Sequence, residues 1–413
     1  MANAKISIPL DLPKVTVLEV EVSERGYTIS VESTETGTRC AHCGRKIQAF
    51  HGYNDWVEVR HLPILDRAVS IRYRPKRYQC PYCDGEPTTT HAVSWHTPGS
   101  TMTKAYERHV LKALIHSTIE DVSVKEDLSY DRVLGVMERC VAAEVDWTAF
   151  KRLDVLGIDE LAVKKGQRDY AVIISTRLAD GDVAVLGVLP DRQQATVQAF
   201  LDRIPARLKA TIHSVCVDMY EPYRLAVQAA LPQADIVIDR FHVAEHYMDA
   251  ADALRKKTMK DLKKTLPQAE YATLKGVHLV FRRHWATLAA PERLLLERLF
   301  GYAPVLRLVY EFREGLFRIF ETAPSVAQAA QDLKAWMFLV REQHLPGFDA
   351  FLKTLQAHWE GILNFFKHRL TSGFVEGLNT KIRVLTRRCF GLFNLQHFFQ
   401  RLWLDVEGYR VLA

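Results

Sequence analysis

Two pairs of cysteines constrain the fold of this chain more than any other feature of its sequence. Cys40 and Cys43 form one C-x2-C pair, and Cys80 and Cys83 form the other. Two thiolates three residues apart can bind one tetrahedral metal ion, and four thiolates fill its coordination and leave no open position. A glycine follows each pair, where a tight turn is needed. The spacing predicts a structural zinc site, the alternative being four reduced cysteines in strands.

Composition adds only broad limits. The 413 residues are 48% hydrophobic and 25% charged, which is typical of a soluble protein of two to four domains. The seven cysteines are an odd number, which fits a metal site in a reducing cytosol better than a disulfide scaffold. No apolar run is long enough to span a membrane, so we expect no membrane partner. The net charge of +6 is a weak indication of a polyanionic partner.

A basic segment, RHLPILDRAVSIRYRPKRYQC, lies between the cysteine pairs. Its cations outnumber its one acid, Asp66, and Tyr73 and Tyr78 are interleaved with them. Such a segment suits contacts to DNA phosphates, although a solvated hairpin would have the same composition. The side chains that we predict to contact DNA are Arg72, Arg74, Lys76 and Arg77.

Residues 116–141, HSTIEDVSVKEDLSYDRVLGVMERCV, have the pattern of two short helices. The turn falls around Asp127, and Ser129 is placed to cap the second helix. This is the pattern of a helix-turn-helix, whose second helix would present Tyr130 and Arg132 to DNA. Helical hairpins also pack against protein alone, so that alternative stays open. The side chains expected in the core are Val133, Val136, Met137 and Cys140.

Apolar segments between residues 154 and 240 predict a sheet of mixed direction. Three strand candidates, DVLGIDELAV, DYAVIIST and DVAVLGVLP, precede alternating helices and strands. The order β-β-β-α-β-α-β-α is that of a ribonuclease H-like core, a likeness that shows no function by itself. The pattern of residues 241–365 is almost all helical. We therefore predict an α/β multidomain chain. Its parts would be a zinc ribbon (1–100), a helix-turn-helix (101–146), a mixed sheet (147–240), a helical segment (241–365) and a C-terminal part (366–413).

Two acids follow strands of this predicted sheet. Asp159 lies in VLGIDE, and Asp218 ends HSVCVD. Glu160 must point to the opposite face from Asp159, because strand side chains alternate. If the two strands are neighbours, Asp159 and Asp218 converge, and converging carboxylates stay ionised only with a cation between them. Oxygen ligands favour Mg²⁺ or Mn²⁺.

A third acid lies in TSGFVEGLNTKIRVLTRR, residues 371–388. Thr371 and Ser372 are natural helix N-caps, and Glu376 falls in the first turn. An acid there complements the helix dipole, so a solvated basic helix is one interpretation. The other is that Glu376 is a third metal ligand beside a surface that binds phosphate. The cations of that surface would be Lys381, Arg383, Arg387 and Arg388.

The chain resembles the DDE-type insertion-sequence transposases of bacteria, specifically the ISL-three family. The motifs that carry the resemblance are CxxC…CxxC, GIDE, VCVDMYEPY, IDRFHV and SGFVEGLNTKIRVLTRR. It implies that Asp159, Asp218 and Glu376 are the catalytic triad of a metal-dependent polynucleotidyl transferase. It also implies that residues 147–240 and 366–413 form one catalytic core and that the helical segment 241–365 is an insertion in it. Asp239 and His242 match a D-x-x-H signature of related transposases, and we expect them to support the site or contact DNA.

The resemblance also implies partners and a setting. The substrates would be double-stranded DNA, namely the terminal inverted repeats of a mobile element and its target. Two ends must meet, so we expect a homodimer or larger assembly on DNA, in the bacterial cytoplasm at the nucleoid. Mg²⁺ or Mn²⁺ would serve cleavage and strand transfer, and Zn²⁺ would be structural.

Two other functions fit parts of the chain. HVAEH, residues 242–246, matches the inverted zinc-peptidase motif H-x-x-E-H, which would give the chain a catalytic zinc. A non-catalytic DNA-binding regulator would need only the zinc ribbon and the helical hairpin, residues 1–146. The regulator leaves the three acids unexplained.

Overall fold

The computed structural model describes residues 8–24, 26–162, 170–178, 180–369, 373–389 and 394–412. Residues 161, 162, 170, 368 and 374–376 are described by their backbone alone. The chain forms two compact units, residues 1–142 with 403–413, and residues 143–402. The five-part division predicted from sequence stays a prediction. No helix in the described part of the chain is long and apolar enough to cross a membrane.

The first unit contains small sheets followed by three helices. The sequence alternates β-branched and polar residues, which suits strands with one face buried. Its strands are β1 (Val15–Ser23), β2 (Gly26–Ser33), β3 (Thr38–Arg39), β4 (Lys46–Ile47), β5 (Ala49–Tyr53), β6 (Val57–Ile64), β7 (Arg67–Tyr73), β8 (Lys76–Gln79) and β9 (Thr88–Thr90). β1 and β2 form an antiparallel hairpin in the sheet β1-β2-β7-β6.

The helices of this unit are α1 (Lys104–Leu114), α2 (Ile119–Glu126) and α3 (Tyr130–Cys140). The turn between α2 and α3 is as predicted, because Asp127 is left-handed and Ser129 caps α3. Val133, Val136 and Met137 are buried, in agreement with the pattern. The expectation that Cys140 packs in the core is wrong, since it is exposed at the end of α3. That α2 and α3 form a DNA-binding helix-turn-helix stays a prediction.

The second unit is built on one mixed sheet. Its strands are β10 (Val155–Ala162), β11 (Tyr170–Arg177), β12 (Val183–Leu189), β13 (Ser214–Val217) and β14 (Asp235–Ile238), in the order β12-β11-β10-β13-β14. β10, β11 and β12 pair antiparallel, whereas β13 and β14 continue the sheet in parallel from β10. The helices α4 (Gln194–Asp202), α5 (Ala206–Lys209) and α6 (Glu221–Ala230) connect the later strands. Buried apolar residues on both faces explain the continuous apolar strand sequences.

The remaining helices follow β14. They are α7 (Arg240–Thr265), α8 (Gln268–Ala272), α9 (Val277–Val280), α10 (Ala290–Tyr302), α11 (Pro304–Thr322), α12 (Val326–Glu342), α13 (Phe348–Ala357), α14 (Trp359–His368), α15 (Gly373–Arg388) and α16 (Leu395–Leu412). The segment predicted as helical is therefore helical. α14 covers the edge strand β14, where the Asn364 side-chain amide donates to the Ile236 carbonyl at 2.9 Å. This contact satisfies a backbone group that an open sheet edge would leave unpaired.

Candidate active site and zinc site

The pairing of three parallel strands sets three aspartates in register. Gly157 of β10 pairs with Cys216 of β13, and Cys216 pairs with Val237 of β14. Two residues further along each chain segment stand Asp159, Asp218 and Asp239. Ligands of open α/β sheets bind at this edge, beyond the carboxyl ends of the strands.

Asp159 is held from two sides. Its Oδ1 accepts a hydrogen bond from the Glu160 backbone N–H at 2.7 Å, and its Oδ2 accepts one from the Asn379 side-chain amide. The second contact anchors α15 on β10. Burial raises the pKa of Asp159, while these hydrogen bonds lower it. A carboxylate so placed is oriented firmly but disfavoured as an anion unless a positive charge is near.

Asp218 lies between β13 and α6. Its Oδ1 accepts a hydrogen bond from the Tyr220 backbone N–H at 2.9 Å. The pKa of Asp218 is raised to about 6, chiefly by burial; the negative charges of Asp159 and Glu160 also raise it, while the hydrogen bond from Tyr220 and the charge of His242 lower it. The two aspartates therefore act on each other electrostatically. Two crowded carboxylates with raised pKa values and only oxygen atoms to offer are a donor set that fits Mg²⁺ or Mn²⁺.

Glu376, the third predicted acid, lies in the first turn of α15, and its side chain is outside the described residues. Thr371 and Ser372, the predicted caps, also lie outside them. The buried face of α15 follows the pattern, since Leu378, Ile382 and Leu385 are buried. Whether Glu376 joins the two aspartates stays a prediction.

Asp239 and His242 lie at the same edge of the sheet. Asp239 is 1% exposed and caps α7, since its Oδ1 accepts from the Phe241 backbone N–H at 3.2 Å. His242 is on the first turn of α7, and its charge lowers the pKa of both Asp159 and Asp218. His242 therefore acts electrostatically on both aspartates, and that Asp239 and His242 support the site stays a prediction. A role in DNA contact stays untested.

The pattern H-x-x-E-H does not form a zinc site among the described side chains. His242, Glu245 and His246 all lie on α7, and Glu245 and His246 are exposed. His242 Nδ1 is 3.9 Å from Glu245 Oε2. His242 therefore faces Glu245, although the motif would need it to share a zinc ion with His246. Among the described residues, the ligand atoms of these three side chains do not come close enough together to hold a metal ion.

Sequence reasoning missed several neighbours of the aspartates. Asn379 follows Glu376 by three residues, which puts both on one helix face, and that spacing is the signal that could have identified it. Glu160 forms an ion pair with Arg192 at 2.9 Å, and the Arg192 guanidinium stacks over the Tyr220 ring at 4.7 Å. Tyr223 is fully buried, and its hydroxyl has no hydrogen-bond partner among the residues described. No sequence pattern marks these contacts, because they join separate segments.

The four cysteines converge as predicted. Their sulfur atoms all lie within 4.8 Å of one another, the only such group of three or more ligands in the described residues. The distances are 3.9 Å for Cys40–Cys83, 3.7 Å for Cys43–Cys80 and 3.6 Å for Cys80–Cys83. A tetrahedron with zinc–sulfur bonds of about 2.3 Å has edges of about 3.8 Å, so the sulfur atoms fit one zinc ion.

The turns around the cysteines explain the glycines. Gly44 and Gly85 adopt φ values of 71° and 74°, which side chains rarely tolerate. The His42 backbone N–H donates to the Cys40 sulfur at 3.4 Å, a contact that favours the thiolate. The two knuckles lie beside β3–β4 and between β8 and β9.

The basic segment is only partly available to DNA. Arg72 stacks over Trp56 at 4.7 Å, and Arg74 over Tyr53 at 5.1 Å, on the surface. Arg74 Nε also donates to the Asn54 carbonyl at 3.1 Å, but its side chain is exposed. Lys76 and Arg77 are half-buried and donate to the Ser33 carbonyl and the Thr88 hydroxyl, both at 2.6 Å. Tyr73 and Tyr78, which are interleaved with these cations in the sequence, are both buried. The aromatic neighbours of the arginines come from other segments.

The other predicted DNA contacts are mostly exposed. Tyr130 and Arg132 lie on the exposed first turn of α3. Lys381, Arg383 and Arg387 are exposed on α15, and Arg388 is half-buried. Their accessibility permits contact with phosphate but does not test it.

Comparison with known proteins identifies relatives along nearly the whole chain. A family model described as transposase, of the DDE ISL-three group, matches residues 156–402, and one described as the zinc-finger of transposases IS204, IS1001, IS1096 and IS1165 matches residues 36–83. The transposase for insertion sequence element IS1001 of Bordetella parapertussis is 26% identical over 386 residues, covering 93% of this chain and 92% of its own. The transposase for element IS1557 of Mycobacterium tuberculosis is 24% identical over 396 residues, covering 90% and 86%. The regulator interpretation is therefore not favoured.

Proposed function

The chain belongs to the ISL-three family of transposases, and from that premise we propose that it binds the terminal inverted repeats of an insertion sequence, cuts DNA at the element ends and joins them to target DNA. The observation that carries this proposal is the placement of Asp159 and Asp218. Each lies two residues beyond a paired position of neighbouring parallel strands, Gly157 of β10 and Cys216 of β13, inside the segment that matches the transposase family. The order of strands in that sheet supports a ribonuclease H-like core.

Asp159, Asp218 and Glu376 are the residues that would hold Mg²⁺ or Mn²⁺. Such a cation lowers the pKa of an attacking hydroxyl and neutralises charge on the leaving oxygen. The chain's own contribution is to fix the carboxylates before DNA arrives. The Glu160 and Tyr220 backbone N–H groups orient Asp159 and Asp218. Asp239 and His242 are proposed to support these acids from the start of α7.

The chemistry consists of two in-line phosphoryl transfers. In the first, a water oxygen bonds to phosphorus at the element end and gives up a proton to solvent, the bond to the 3′ oxygen breaks, and that oxygen takes up a proton to become a hydroxyl. In the second, the oxygen of this 3′-hydroxyl bonds to a target phosphorus and loses its proton, and a target 3′ oxygen leaves and is protonated. The number of phosphodiester bonds is unchanged in the second step, so no external energy source is needed.

DNA binding is assigned to surfaces on both units. On the first unit, the zinc ribbon with Arg72 and Arg74, and the start of α3 with Tyr130 and Arg132, would recognise the repeat. On the second, Lys381, Arg383, Arg387 and Arg388 of α15 would bind the backbone near the cut. Lys76 and Arg77 would contribute less, because both donate to groups of the protein. The active assembly would be a homodimer or larger on two DNA ends, in the bacterial cytoplasm at the nucleoid.

The test is Mg²⁺-dependent nicking of a plasmid that carries the DNA flanking this gene. Asp159→Asn, Asp218→Asn and Glu376→Gln should each lower nicking at the repeat ends by about a thousandfold or more, since each removes a charge needed in the transition state. End binding should be nearly intact in gel-shift experiments. Asp202→Asn, an exposed acid paired with Lys209, is the matched control and should cut normally. Retained nicking in any one variant removes that residue from the triad.

A further inference from the structure

Asn379 reaches the candidate active site from α15. It is 6% exposed, and its Nδ2 donates to Asp159 Oδ2. Because Asp159 Oδ1 already accepts from the Glu160 backbone N–H at 2.7 Å, both carboxylate oxygens have an N–H donor. Asn379 therefore helps to fix the rotation of the Asp159 carboxylate.

The other end of the Asn379 side chain is not satisfied. An ionised carboxylate only accepts hydrogen bonds, so the amide nitrogen must face Asp159 and the oxygen must point elsewhere. Asn379 Oδ1 is buried and has no donor among the residues that the structure describes. A buried acceptor without a partner is unfavourable. Its position beside a carboxylate that itself needs a cation indicates the missing partner.

We propose that Asn379 is a neutral oxygen ligand of the divalent cation, and that its N–H at the same time orients Asp159. This inference rests on the proposed function, in which Asp159 and Asp218 hold that cation. Carbonyl oxygens suit Mg²⁺ and Mn²⁺ as carboxylates do. A neutral ligand adds an oxygen without adding to the repulsion that raises the pKa of both aspartates. Asn379 also follows Glu376 by three residues, so one helix turn would supply both groups.

The alternative is a purely structural role, in which Asn379 only attaches α15 to β10. The two roles depend on different atoms of the amide. Asn379→Asp keeps an oxygen in place of Oδ1 but loses the N–H that Asp159 accepts. Asn379→Ala loses both. Thr386→Ala is a matched control on the same helix, because the Thr386 hydroxyl donates only to the Arg383 carbonyl at 3.1 Å.

The experiment measures Mn²⁺ binding by the full, zinc-loaded chain without DNA, from the electron paramagnetic resonance signal of free Mn²⁺. Asn379→Ala should weaken binding by about tenfold, in the range found when groups around a metal are removed. Asn379→Asp should bind within about threefold of the unmodified protein or more tightly. Thr386→Ala should bind normally. If Asn379→Ala does not fold, Asn379→Ser carries the same expectation, because its hydroxyl is too short to reach the same point.

Two results overturn the inference. Normal Mn²⁺ binding by Asn379→Ala removes the residue from the metal site, and binding by Asn379→Asp as weak as that of Asn379→Ala makes the N–H the important group. Asp159→Asn and Asp218→Asn are measured beside them. If these bind Mn²⁺ normally, the proposed function fails and the inference with it. If they lose binding while Asn379→Ala does not, only the inference about Asn379 fails.

Discussion

At the scale of single residues, the burial of charged aspartates in the candidate site opposes folding. Asp218 lies against β13 with Asp159 and Glu160 nearby, and its pKa is raised to about 6, chiefly by burial. The folded protein without a divalent cation thus binds this proton more tightly than the unfolded chain does. The group favours folding below its unfolded pKa of about 4 and opposes it increasingly as the pH rises through about 6.

This leads to a prediction about stability. Without added divalent metal, Asp218→Asn should melt several degrees above the unmodified protein at pH 7.5, because the amide carries no charge to bury and can still accept from the Tyr220 N–H. At about pH 3 the difference should shrink, since Asp218 is then mostly protonated in both states. Thermal denaturation by circular dichroism measures both. Equal melting temperatures at pH 7.5, with Asp202→Asn as the control, would contradict the raised pKa.

Sequence reasoning predicted Asp159 and Asp218 because strand ends can be located from apolar patterns, and parallel strands bring their ends to one edge. It missed Asn379 as a partner of Asp159, since that contact joins residues 220 positions apart. It also expected Glu160 simply to face away, whereas the Glu160 side chain pairs with Arg192 and its charge still raises the pKa of both aspartates. The alternation of side chains along a strand fixes the sheet face on which a side chain lies, but it does not show which later segment contacts that side chain.

At the scale of elements, the zinc ribbon was the most predictable part of the chain. The cysteine spacing alone predicted the ligands. The positive φ of Gly44 and Gly85 explains why a glycine follows each cysteine pair. The side chains of the basic segment were less predictable. β7 and β8 turn Tyr73 and Tyr78 into the protein, and Lys76 and Arg77 toward neighbouring strands. The composition shows many cations, but only the strand pairing and the side-chain contacts show which of them face solvent.

Loss of one zinc ligand should unfold the ribbon. In Cys40→Ser the hydroxyl is a poor replacement for a thiolate, and the small sheets around the knuckles have little core of their own to hold them. We expect about one zinc less per chain by atomic absorption and loss of repeat-end binding in gel shifts. Cys140→Ser, a cysteine outside the group, should change neither. End binding that survives zinc loss would assign the ribbon another purpose.

The stacked arginines of the first unit should differ from the internal cations beside them. Arg74→Ala should weaken binding to duplex repeat DNA and reduce the slope of log K against log salt by about one, as expected for one lost phosphate contact. Arg77→Ala should leave that slope nearly unchanged, because Arg77 is half-buried and donates to the Thr88 hydroxyl at 2.6 Å, whereas Arg74 is exposed. Fluorescence anisotropy at several salt concentrations measures both. Equal effects of the two substitutions would contradict the distinction drawn from the structure.

At the scale of the whole molecule, the two units are not two consecutive parts of the chain. Residues 403–413, the end of α16, group with residues 1–142. Leu404 is fully buried in the core of α1, α2 and α3, and the Asp405 carboxylate accepts from the His116 backbone N–H at 3.0 Å. No sequence pattern shows which core the last turns of α16 complete, since the partner lies almost 300 residues earlier.

This topology makes the C-terminus a requirement for the first unit. Leu404→Ala should cost about 2 to 4 kcal/mol of that unit's stability by leaving a cavity in its core. If the first unit recognises the repeat, end binding should weaken on warming before the second unit unfolds, although Leu404 is far in sequence from every predicted DNA contact. Hydrogen exchange would show faster exchange of α1–α3 amides. Val411→Ala, at an exposed position of the same helix, is the control. Unchanged exchange in α1–α3 would mean that the N-terminal residues form a self-sufficient core, as the sequence-based boundary at residue 146 assumed.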